Sequence, residues 1–590
     1  MRKSDNKIRV LARILRYIRN YRLQVILLAI FTLMESLIFV VAPKISGSAV
    51  DLLSNILSDD TGMVLNAIFE KVVILFGVYS LYALSSAMAS YLGNIIATGI
   101  TYNLREDISS KISKISMIYM DSHSKGDILS RTVNDVETLT EIFTHGLKHI
   151  ISSVVMSVGI LGMMFTISVK LTLISLFALV IITFITIFIV KCSQKYFKKY
   201  QETLGKINDS ISETFKGHEL IKAFGAENYV ADKFRSINEE LKKSAWKSQF
   251  ISGIIAPTMD AINNINYIVI CVLGGYFVAK NSMTIGDLSA FIAYSGQINR
   301  PLGQFFGLSA IVQQTSVSAV RIFELLDAPE ETNKSENSLA KSDFNKSIEI
   351  KNVDFGYDKS KEILSNFSLE IPKGKTVAIV GKTGSGKTTV INLLMRLYTV
   401  KSGEILVDGE NIEKIKLEDY RKLFGLVSQD VWLYSGTIME NIRYGNLSAS
   451  DEDVKKAASA VGAHHFIESL PKGYQTEINE DTDNISQGQR QLISLARMVI
   501  SKAPILIMDE ATASVDSGAE EKIQKSLQKL FNTKTVVVIA HRLSTIETAD
   551  VVVLMGDGKI LEQGSHSELI AKRGEYYKLY TSQFAESVAV

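Results

Sequence analysis

The sequence has 590 residues, too many for a single hydrophobic core, so we expect at least two domains. Its formal net charge is only +2, which argues against nucleic acid as a partner. Hydrophobic residues make up 47% of the chain although 21% of its residues are charged, and this mixture predicts an apolar region joined to a water-exposed one. The two cysteines, Cys192 and Cys271, lack metal-ligand spacing and are expected to be unpaired thiols.

The N-terminal segment and the apolar segments after it predict a membrane protein. Residues 1–22 carry eight Lys or Arg, and Ile14, Tyr17 and Ile18 recur at helical spacing, which predicts an amphipathic helix on a membrane face. Six apolar segments follow, and each has the roughly 20 residues that a bilayer-spanning helix needs. They are 23–43, 71–97, 149–168, 171–192, 249–279 and 284–309.

The distribution of Lys and Arg predicts the orientation of these spans, because basic loops stay in the cytoplasm. Residues 191–248 carry twelve Lys or Arg and residues 98–148 carry six, whereas residues 44–70 carry one Lys. We therefore expect a multi-pass protein of the cell membrane whose N-terminus, long loops and C-terminal half are cytoplasmic. The long loops have helical patterns, so the spans are expected to continue beyond the bilayer.

Polar side chains within spans are costly, and they are either functional or paired with one another. The candidates are Glu35, Asp260, Asn263, Asn264, Asn299 and Arg300. The expected organisation is an N-terminal surface helix (1–22), a six-helix transmembrane domain (23–325), a polar linker (326–346) and a second domain (347–590).

The second domain alternates short apolar strands with helices, which predicts an α/β fold with a mainly parallel sheet and an antiparallel part. The strands include residues 376–380, 505–509 and 536–540. Asp-Gly pairs at 408–409 and 557–558 predict hairpins.

A phosphate-binding loop follows the first of these strands. Residues 381–389 read GKTGSGKTT, the Gly-x-x-x-x-Gly-Lys-Thr pattern whose backbone N–H groups wrap a phosphate. Lys387 is expected to reach the terminal phosphates and Thr388 to bind Mg²⁺. The other predicted nucleotide contacts in the loop are Gly381, Lys382, Thr383, Gly384, Ser385, Gly386 and Thr389.

Two further strands end in side chains suited to nucleotide hydrolysis. Asp509 ends the strand at 505–509 and is a candidate Mg²⁺ ligand. Glu510 follows it and is the candidate that polarises the attacking water. His541 follows the strand at 536–540, where it is expected to contact the γ-phosphate.

A predicted helix start lies near residue 486. Ser486 and Gln489 have the spacing of a capping box, and an apolar helical stripe follows them. Because the N-terminus of a helix attracts anions, this segment is a second candidate phosphate contact.

These motifs, in this order, resemble the ATP-binding cassette (ABC) family. Tyr357 resembles the aromatic residue that stacks on adenine, and Gln429 the glutamine that binds Mg²⁺ near the hydrolytic site and links nucleotide to membrane domain. Residues 484–492 (NISQGQRQL) resemble the family signature, and Asp516 lies in the SVD loop that follows the catalytic glutamate. Residues 126–139, 224–234 and 283–304 resemble the loops and sixth span of ABC exporters.

The resemblance implies an ATPase that is a half-transporter and works as a dimer. Two cassettes would sandwich two ATP molecules, so that the signature of one chain faces the phosphates held by the other. The expected activity is export of amphipathic small molecules, namely drug-like compounds, lipids or peptides. The alternatives are an importer with an exporter-type fold and a nucleotide-regulated membrane subunit with weak hydrolysis.

The signature departs from the family pattern at its first and third positions. The family usually has Leu-Ser-Gly-Gly-Gln, whereas this chain has Ile-Ser-Gln-Gly-Gln, with Gln487 in place of the first glycine and Gly488 retained. One interpretation is a tolerated change in a homodimer, since the Gln487 amide can also donate a hydrogen bond to phosphate. The favoured interpretation is a heterodimer, because residues 478–492 resemble the chain of heterodimeric exporters that keeps the catalytic glutamate but has an altered signature.

Overall fold

The computed structural model describes residues 13–14, 16–54, 61–331, 344–358, 361–429, 431–479, 484–509, 531, 533–540 and 543–584. The chain divides into two compact units. The first comprises residues 1–112 and 125–327, and the second comprises residues 113–124 and 328–590. The short segment 113–124, which lies between two membrane segments in sequence, therefore packs with the C-terminal half.

Long helices make up the first unit. After a short 3₁₀ turn at Arg19–Tyr21, the helices up to residue 326 are α1 (Arg22–Ser54), α2 (Thr61–Ile112), α3 (Met117–Ser122), α4 (Lys125–Thr132), α5 (Asn134–Glu141), α6 (Leu147–Ile167), α7 (Val169–Lys216), α8 (His218–Ala223), α9 (Glu227–Gly253), α10 (Ile255–Ala279), α11 (Ile285–Gln297) and α12 (Asn299–Leu326). A π-helical turn at Ile142–Gly146 joins α5 to α6. Helix α3 belongs to the second unit.

Five helical stretches of the described residues are long and apolar enough to cross a membrane. They are Arg16–Leu53, Val64–Ile112, Lys125–Ile167, Val169–Lys216 and Glu227–Ala279, and they contain the first five predicted spans except for residue 168 at the end of the third. The sixth predicted span, 284–309, falls on α11 and α12. The spans were expected to continue as helices beyond the bilayer, and α2 and α7, which have 52 and 48 residues, are long enough to do so.

Two prolines explain why the fifth and sixth predicted spans are each broken into two helices. Pro257 cannot donate a hydrogen bond to the carbonyl of Gly253 four residues earlier, and Gly253 is the residue at which α9 ends. Pro301 stands in the same relation to Gln297, the last residue of α11. Pro257 and Pro301, which interrupt the apolar pattern of these two segments in the sequence, thus mark the places where the helices break.

Small residues let the first and sixth membrane segments approach closely. A Cβ atom on Gly47 of α1 would lie 2.4 Å from the carbonyl oxygen of Gly286 of α11. The carboxylate of Asp51 accepts hydrogen bonds from Gly286 N at 2.5 Å and from the Thr284 hydroxyl at 2.9 Å. Deeper in the unit, the buried Tyr294 hydroxyl donates to the carbonyl of Val40 at 2.7 Å.

Two sheets form the centre of the second unit. The strands are β1 (Ser347–Phe355), β2 (Leu364–Pro372), β3 (Thr376–Gly381), β4 (Ser402–Val407), β5 (Glu410–Asn411), β6 (Phe424–Val427), β7 (Gly436–Thr437), β8 (Glu477–Ile478), β9 (Ile505–Asp509), β10 (Thr535–Ile539), β11 (Val551–Gly556) and β12 (Lys559–Gly564). The larger sheet has the order β12-β11-β3-β10-β9-β6 and is parallel except for β12 at its edge. The smaller sheet has the order β2-β1-β4-β5 and is antiparallel.

The predicted strands and hairpins of this half are confirmed. The three predicted parallel strands are β3, β9 and β10, with ends that differ by at most one residue. Asp408 and Asp557 have φ of 53° and 48°, in the left-handed region that a tight hairpin turn requires. These turns join β4 to β5 and β11 to β12.

Helices cover the larger sheet. They are α13 (Lys387–Leu394), α14 (Leu417–Arg421), α15 (Ile438–Arg443), α16 (Asp451–Ala460), α17 (His464–Ser469), α18 (Gln487–Ile500), α19 (Leu543–Glu547), α20 (His566–Lys572) and α21 (Glu575–Phe584). Alternate residues of β3 lie in two different cores. Val377 and Ile379 pack with the antiparallel sheet and α13, whereas Ala378 and Val380 pack with α15, α16 and α18.

Candidate active site

The turn after β3 has the backbone conformation of a phosphate-binding loop. Gly381, Gly384 and Gly386 have φ of 153°, 82° and 99°, values that side chains with a Cβ rarely adopt. A Cβ on Gly381 would also lie 2.3 Å from the Met555 carbonyl oxygen. Helix α13 begins at Lys387, directly after this turn, so its N-terminus faces the loop.

The Lys387 side chain is folded back over the loop. Its ammonium group donates hydrogen bonds to the carbonyls of Gly381 at 2.8 Å and Lys382 at 3.0 Å, and only 7% of the residue is exposed. Thr388 and Thr383 are exposed, whereas Ser385 and Thr389 are buried. The buried Ser385 hydroxyl has no hydrogen-bond partner among the described residues, so it is available to a ligand in the loop.

Side chains that follow adjacent strands meet at the same edge of the larger sheet. Val427 of β6 pairs with Met508 of β9, so Asp509 and Gln429 both lie at the carboxyl ends of these neighbouring strands. Strand β10 separates β9 from β3, and parallel neighbours are about 4.8 Å apart, so Asp509 and the phosphate loop lie about 10 Å apart. Asp509 is 8% exposed.

These donors fit the magnesium ion that was predicted for the site. A hydroxyl (Thr388), an amide oxygen (Gln429) and a carboxylate (Asp509) are the hard oxygen ligands that Mg²⁺ takes, together with water and phosphate oxygens. The described residues contain no cluster of three or more His, Cys, Asp or Glu, the arrangement expected for an ion held by protein ligands alone. A magnesium ion that shares its ligands with a nucleotide matches this donor set.

The predicted adenine-stacking residue, Tyr357, lies beside the loop helix. Its hydroxyl lies 3.3 Å from the Thr389 hydroxyl and accepts a hydrogen bond from the Asn392 amide at 3.0 Å. Its ring packs edge-on against Phe355 and Tyr398, with centroid distances of 5.1 and 5.0 Å. The ring is 46% exposed, so it is anchored along one side and open to a base.

The predicted capping box at the signature is confirmed. Ser486 N donates to the Gln489 side chain at 3.0 Å, and Gln489 N donates to the Ser486 hydroxyl at 3.3 Å. Helix α18 begins at Gln487, whose side chain is exposed. Gln487 therefore occupies an ordinary first helical position, and no left-handed backbone conformation demands glycine there.

Three predicted site residues lie outside the described residues: Glu510, Asp516 and His541. Their roles stay predictions. Glu510 directly follows β9 in sequence, and His541 follows β10 after one residue, Ala540, whose N–H donates to the Ile379 carbonyl at 3.1 Å.

Contacts between α3 and the hydrophobic core formed by the antiparallel sheet, α13 and one face of β3 were not predicted from the sequence. Met117 packs against that core, and the Tyr398 hydroxyl donates a hydrogen bond to the Asp121 carboxylate. Burial and then this bond raise the pKa of Tyr398. Nearby, Ser116 N donates to the Pro329 carbonyl at 3.1 Å. The tyrosine and the aspartate are 277 residues apart, so no local signal marks the pair.

Several of the polar residues in the spans are paired. Lys148 lies 3.1 Å from the buried carboxylate of Glu35, and it also donates to the hydroxyls of Ser86 and Ser90. Asn299 donates to Asn263 at 3.0 Å. Asp260, Asn264 and Arg300 are exposed in the single chain.

Comparison with known proteins identifies the family. Residues 25–302 match the family model of the ABC transporter transmembrane region, and residues 364–513 match that of the ABC transporter. The chain belongs to the ABC transporters. It is an exporter-type half-transporter, in which one multi-pass membrane domain is fused to one ATP-binding domain, and it couples ATP hydrolysis to transport.

Individual ABC transporters match over nearly the whole chain. An uncharacterized ABC transporter ATP-binding protein of Bacillus subtilis, YfiC, is 36% identical over 97% of this chain and 94% of its own length. A fatty acid ABC transporter ATP-binding/permease protein of Mycobacterium bovis is 36% identical over 87% of this chain and 81% of its own. An ATP-dependent lipid A-core flippase of Aromatoleum aromaticum is 32% identical over 100% of this chain and 99% of its own.

A solved structure shows the same architecture with nucleotide present. It is a bacterial Atm1-family ABC exporter with ATP bound, which superimposes with a TM-score of 0.77 at 26% identity, over 96% of this chain and 98% of that chain. ATP is therefore the nucleotide of this ABC transporter. ABC exporters are generally dimers embedded in a membrane.

Proposed function

We propose that this ABC transporter exports lipid-like amphiphiles, and that it does so as one half of a heterodimer whose complete hydrolytic site uses the ATP-binding residues of this chain. The observation that carries the substrate class is a cavity of about 620 Å³ in the membrane unit. Aliphatic side chains of α7 form much of its wall, namely Leu179, Ile182, Ile187 and Val190. The cationic Lys191 and the polar Gln194 lie at the C-terminal end of this row.

An amphiphile matches this arrangement because it needs an apolar wall beside a few polar groups. Its hydrocarbon part would lie along α7, and its polar end near Lys191, where a negative charge is favoured. The names of two relatives, a fatty acid transporter and a lipid A-core flippase, make lipids a better proposal than drug-like compounds or peptides.

The substrate proposal is tested by ATPase stimulation in proteoliposomes, with fatty acids, phospholipids, cationic dyes and peptides as additives. Fatty acids or anionic lipids are expected to stimulate, and Lys191→Gln is expected to raise the concentration needed by about fivefold, the factor that follows from about 1 kcal/mol for one interfacial charge. Lys195→Gln is the control, since Lys195 is exposed one turn further along α7 and does not line the cavity. Stimulation by cationic dyes alone would contradict a lipid substrate.

In the proposed mechanism, the phosphate loop of this chain holds ATP while Tyr357 stacks on adenine. Lys387 leaves the carbonyls of Gly381 and Lys382 to bind the terminal phosphates, and Glu510 accepts the proton of the attacking water. His541 contacts the γ-phosphate and senses its loss. Mg²⁺, held by Thr388, Gln429 and Asp509, would neutralise charge on the β- and γ-phosphate oxygens.

Two helical tips transmit closure of the cassettes to the spans. One is residues 122–127, next to α3. The other is residues 224–231, whose Phe224 and Tyr229 are 78% and 74% exposed in the single chain. Such large exposed aromatic side chains at a loop tip are suited to docking on another protein surface, here the nucleotide domain of the partner chain.

The signature of this chain supports the heterodimer. The capping box of the family signature is kept by Ser486 and Gln489, and Gly488 is also retained. Gln487, however, places an exposed side chain at the helix end that faces the partner's nucleotide. In the proposed dimer, that second site binds ATP and turns over slowly. The active site consists of Lys387, Asp509, Glu510 and His541 with the intact signature of the partner.

We predict that this chain purified alone shows little transport and that coexpression with a similar half-transporter that lacks the catalytic glutamate restores it. Restoring glycine with Gln487→Gly should raise the ATPase of this chain alone, because it removes the bulky side chain from the helix end that approaches the partner's nucleotide. Thr437→Ser, a conservative change at the N-cap of α15, serves as the control. Full substrate-stimulated ATPase and transport by the unaltered chain alone would contradict the heterodimer.

The proposed orientation predicts which cysteines react with membrane-impermeant reagents. In a chain with Cys192 and Cys271 replaced by serine, Asp60→Cys should be labelled from outside intact cells. Lys125→Cys and Phe215→Cys should be labelled only after the cells are opened. Labelling of position 125 from outside would overturn the six-span topology.

A further inference from the structure

A polar pocket lies where the N-terminal segment meets the second long helix. Its volume is about 810 Å³, and its wall combines N-terminal arginines and asparagine with polar residues of α2. We call it the N-terminal pocket. The residues that matter here are Arg16, Arg19, Asn20, Asn103 and Glu106.

The N-terminal segment is held firmly against two helices of the membrane unit. The Tyr17 hydroxyl donates to Asp107 of α2 at 2.5 Å. Arg13 pairs with Asp327, just after α12, at 2.5 Å, and its guanidinium lies 4.4 Å from the Phe323 ring centre. These contacts hold the segment in place, so the pocket beside it has a defined wall.

A glycine allows the segment to lie this close to α2. A Cβ on Gly99 would be 2.2 Å from the Tyr21 hydroxyl oxygen, closer than any real contact. Glycine at position 99 thus lets the end of the N-terminal segment touch the helix backbone.

Two arginines in the pocket have no ion-pair partner among the described residues. Arg13, Arg16 and Arg19 recur every three residues, so they lie on one side of the segment and repel one another. Arg13 is paired with Asp327, and the charged Asp107 carboxylate accepts a hydrogen bond from the neutral Tyr17 hydroxyl. Arg16 and Arg19 are exposed and form no ion pair with a described residue, although Glu106 and Asp107 line the same pocket, so both guanidinium groups are open to a phosphate.

The pocket lies at the depth of lipid headgroups. Arg19 precedes the first apolar residue of span one, Leu23, by one helical turn. Asn103 follows the predicted end of span two by six residues, which is about 9 Å along a helix. The headgroup layer extends roughly 5–7 Å beyond the hydrocarbon core, within reach of an arginine side chain.

We propose that the N-terminal pocket binds the phosphate headgroup of an anionic phospholipid of the cytoplasmic leaflet. Arg16 and Arg19 provide guanidinium groups, which bind phosphate through paired N–H donors. Asn20 and Asn103 provide amide donors. The lipid relieves the repulsion among the arginines and so stabilises the docked segment that links α2 to the end of α12.

The test is native mass spectrometry of the purified full chain titrated with phosphatidylglycerol or phosphatidylcholine. Wild type is expected to retain one more phosphatidylglycerol than phosphatidylcholine per chain. Arg16→Gln/Arg19→Gln should lose it, with binding weakened about 30-fold, as two interfacial charges imply. Arg22→Gln is the matched control, since Arg22 is exposed at the same membrane edge and does not line the pocket.

Two further measurements test the charge of the pocket and distinguish a lipid headgroup from free phosphate as its ligand. Asn103→Asp adds a negative charge to the pocket without altering the arginines, and it should weaken binding in the same direction. Inorganic phosphate at about 10 mM, a large excess over the lipid, should not displace the lipid. Equal retention of phosphatidylglycerol by the double variant would overturn the site. Displacement by inorganic phosphate would overturn the lipid assignment.

Discussion

Replacing Glu510 with glutamine is expected to leave ATP binding nearly intact and to reduce hydrolysis by a factor of about 10²–10⁴, the usual contribution of a general base. The amide has the size of the carboxylate but cannot accept a proton from the attacking water. The binding measurement is titration with a fluorescent ATP analogue, and the rate measurement is phosphate release under saturating ATP. Both are made on the dimer that supports transport.

The matched control is Glu370→Gln, which removes an exposed carboxylate on β2, a strand of the antiparallel sheet, whereas the phosphate loop follows a strand of the larger sheet. It should change neither quantity. Hydrolysis by Glu510→Gln at the wild-type rate would eliminate this residue as the base. A parallel loss of ATP affinity would also count against the role, since a general base is not needed for binding.

Local features of the nucleotide site were predictable because they depend on neighbouring residues. The phosphate loop needs glycines at residues 381, 384 and 386, and these are the positions with positive φ. The capping box at Ser486 depends on two residues three apart, and it forms as predicted. Strand ends were accurate within one residue because apolar runs flanked by turns are unambiguous.

The breaks in the membrane helices could be located from the sequence, because a proline marks each of them. Pro257 and Pro301 each remove one backbone hydrogen bond, and the helix ends four residues before each proline. Hydropathy alone treats such a segment as continuous. A stepwise check of each proline against the residue four positions earlier locates both breaks.

Pairings between distant residues could not be predicted. The contact of Tyr398 with Asp121 joins residues far apart in sequence, and so do the two hydrogen bonds that Arg421 donates to the Glu331 carboxylate, at 2.9 Å each. The same holds for Lys148 and Glu35. Glu35 was a candidate for a functional polar group in a span, and its pairing makes a structural role sufficient to explain it, because breaking a buried ion pair is costly.

Replacing Lys387 with alanine is expected to weaken ATP binding itself, by about 10- to 100-fold. Hydrogen bonds to a charged group contribute about 1.5–3 kcal/mol, and every 1.4 kcal/mol is tenfold. The side chain also donates to two loop carbonyls, at 2.8 and 3.0 Å, so its loss should loosen the loop even without nucleotide. The measurement is titration with the fluorescent analogue, together with the melting temperature of the nucleotide-free protein.

Lys373→Ala is the control for charge, because Lys373 lies in the turn before β3, at the opposite end of the strand from the phosphate loop. Lys387→Arg keeps the positive charge but changes the shape of the side chain. Only 7% of Lys387 is exposed, so the larger guanidinium has no room over the loop, and this variant should also bind ATP poorly. Unchanged affinity in Lys387→Ala would refute the assignment of residues 381–389 as the phosphate site. Since Glu510→Gln is expected to retain ATP and Lys387→Ala to lose it, an equal defect in both would indicate damage to the fold of the domain, and the melting temperatures would reveal it.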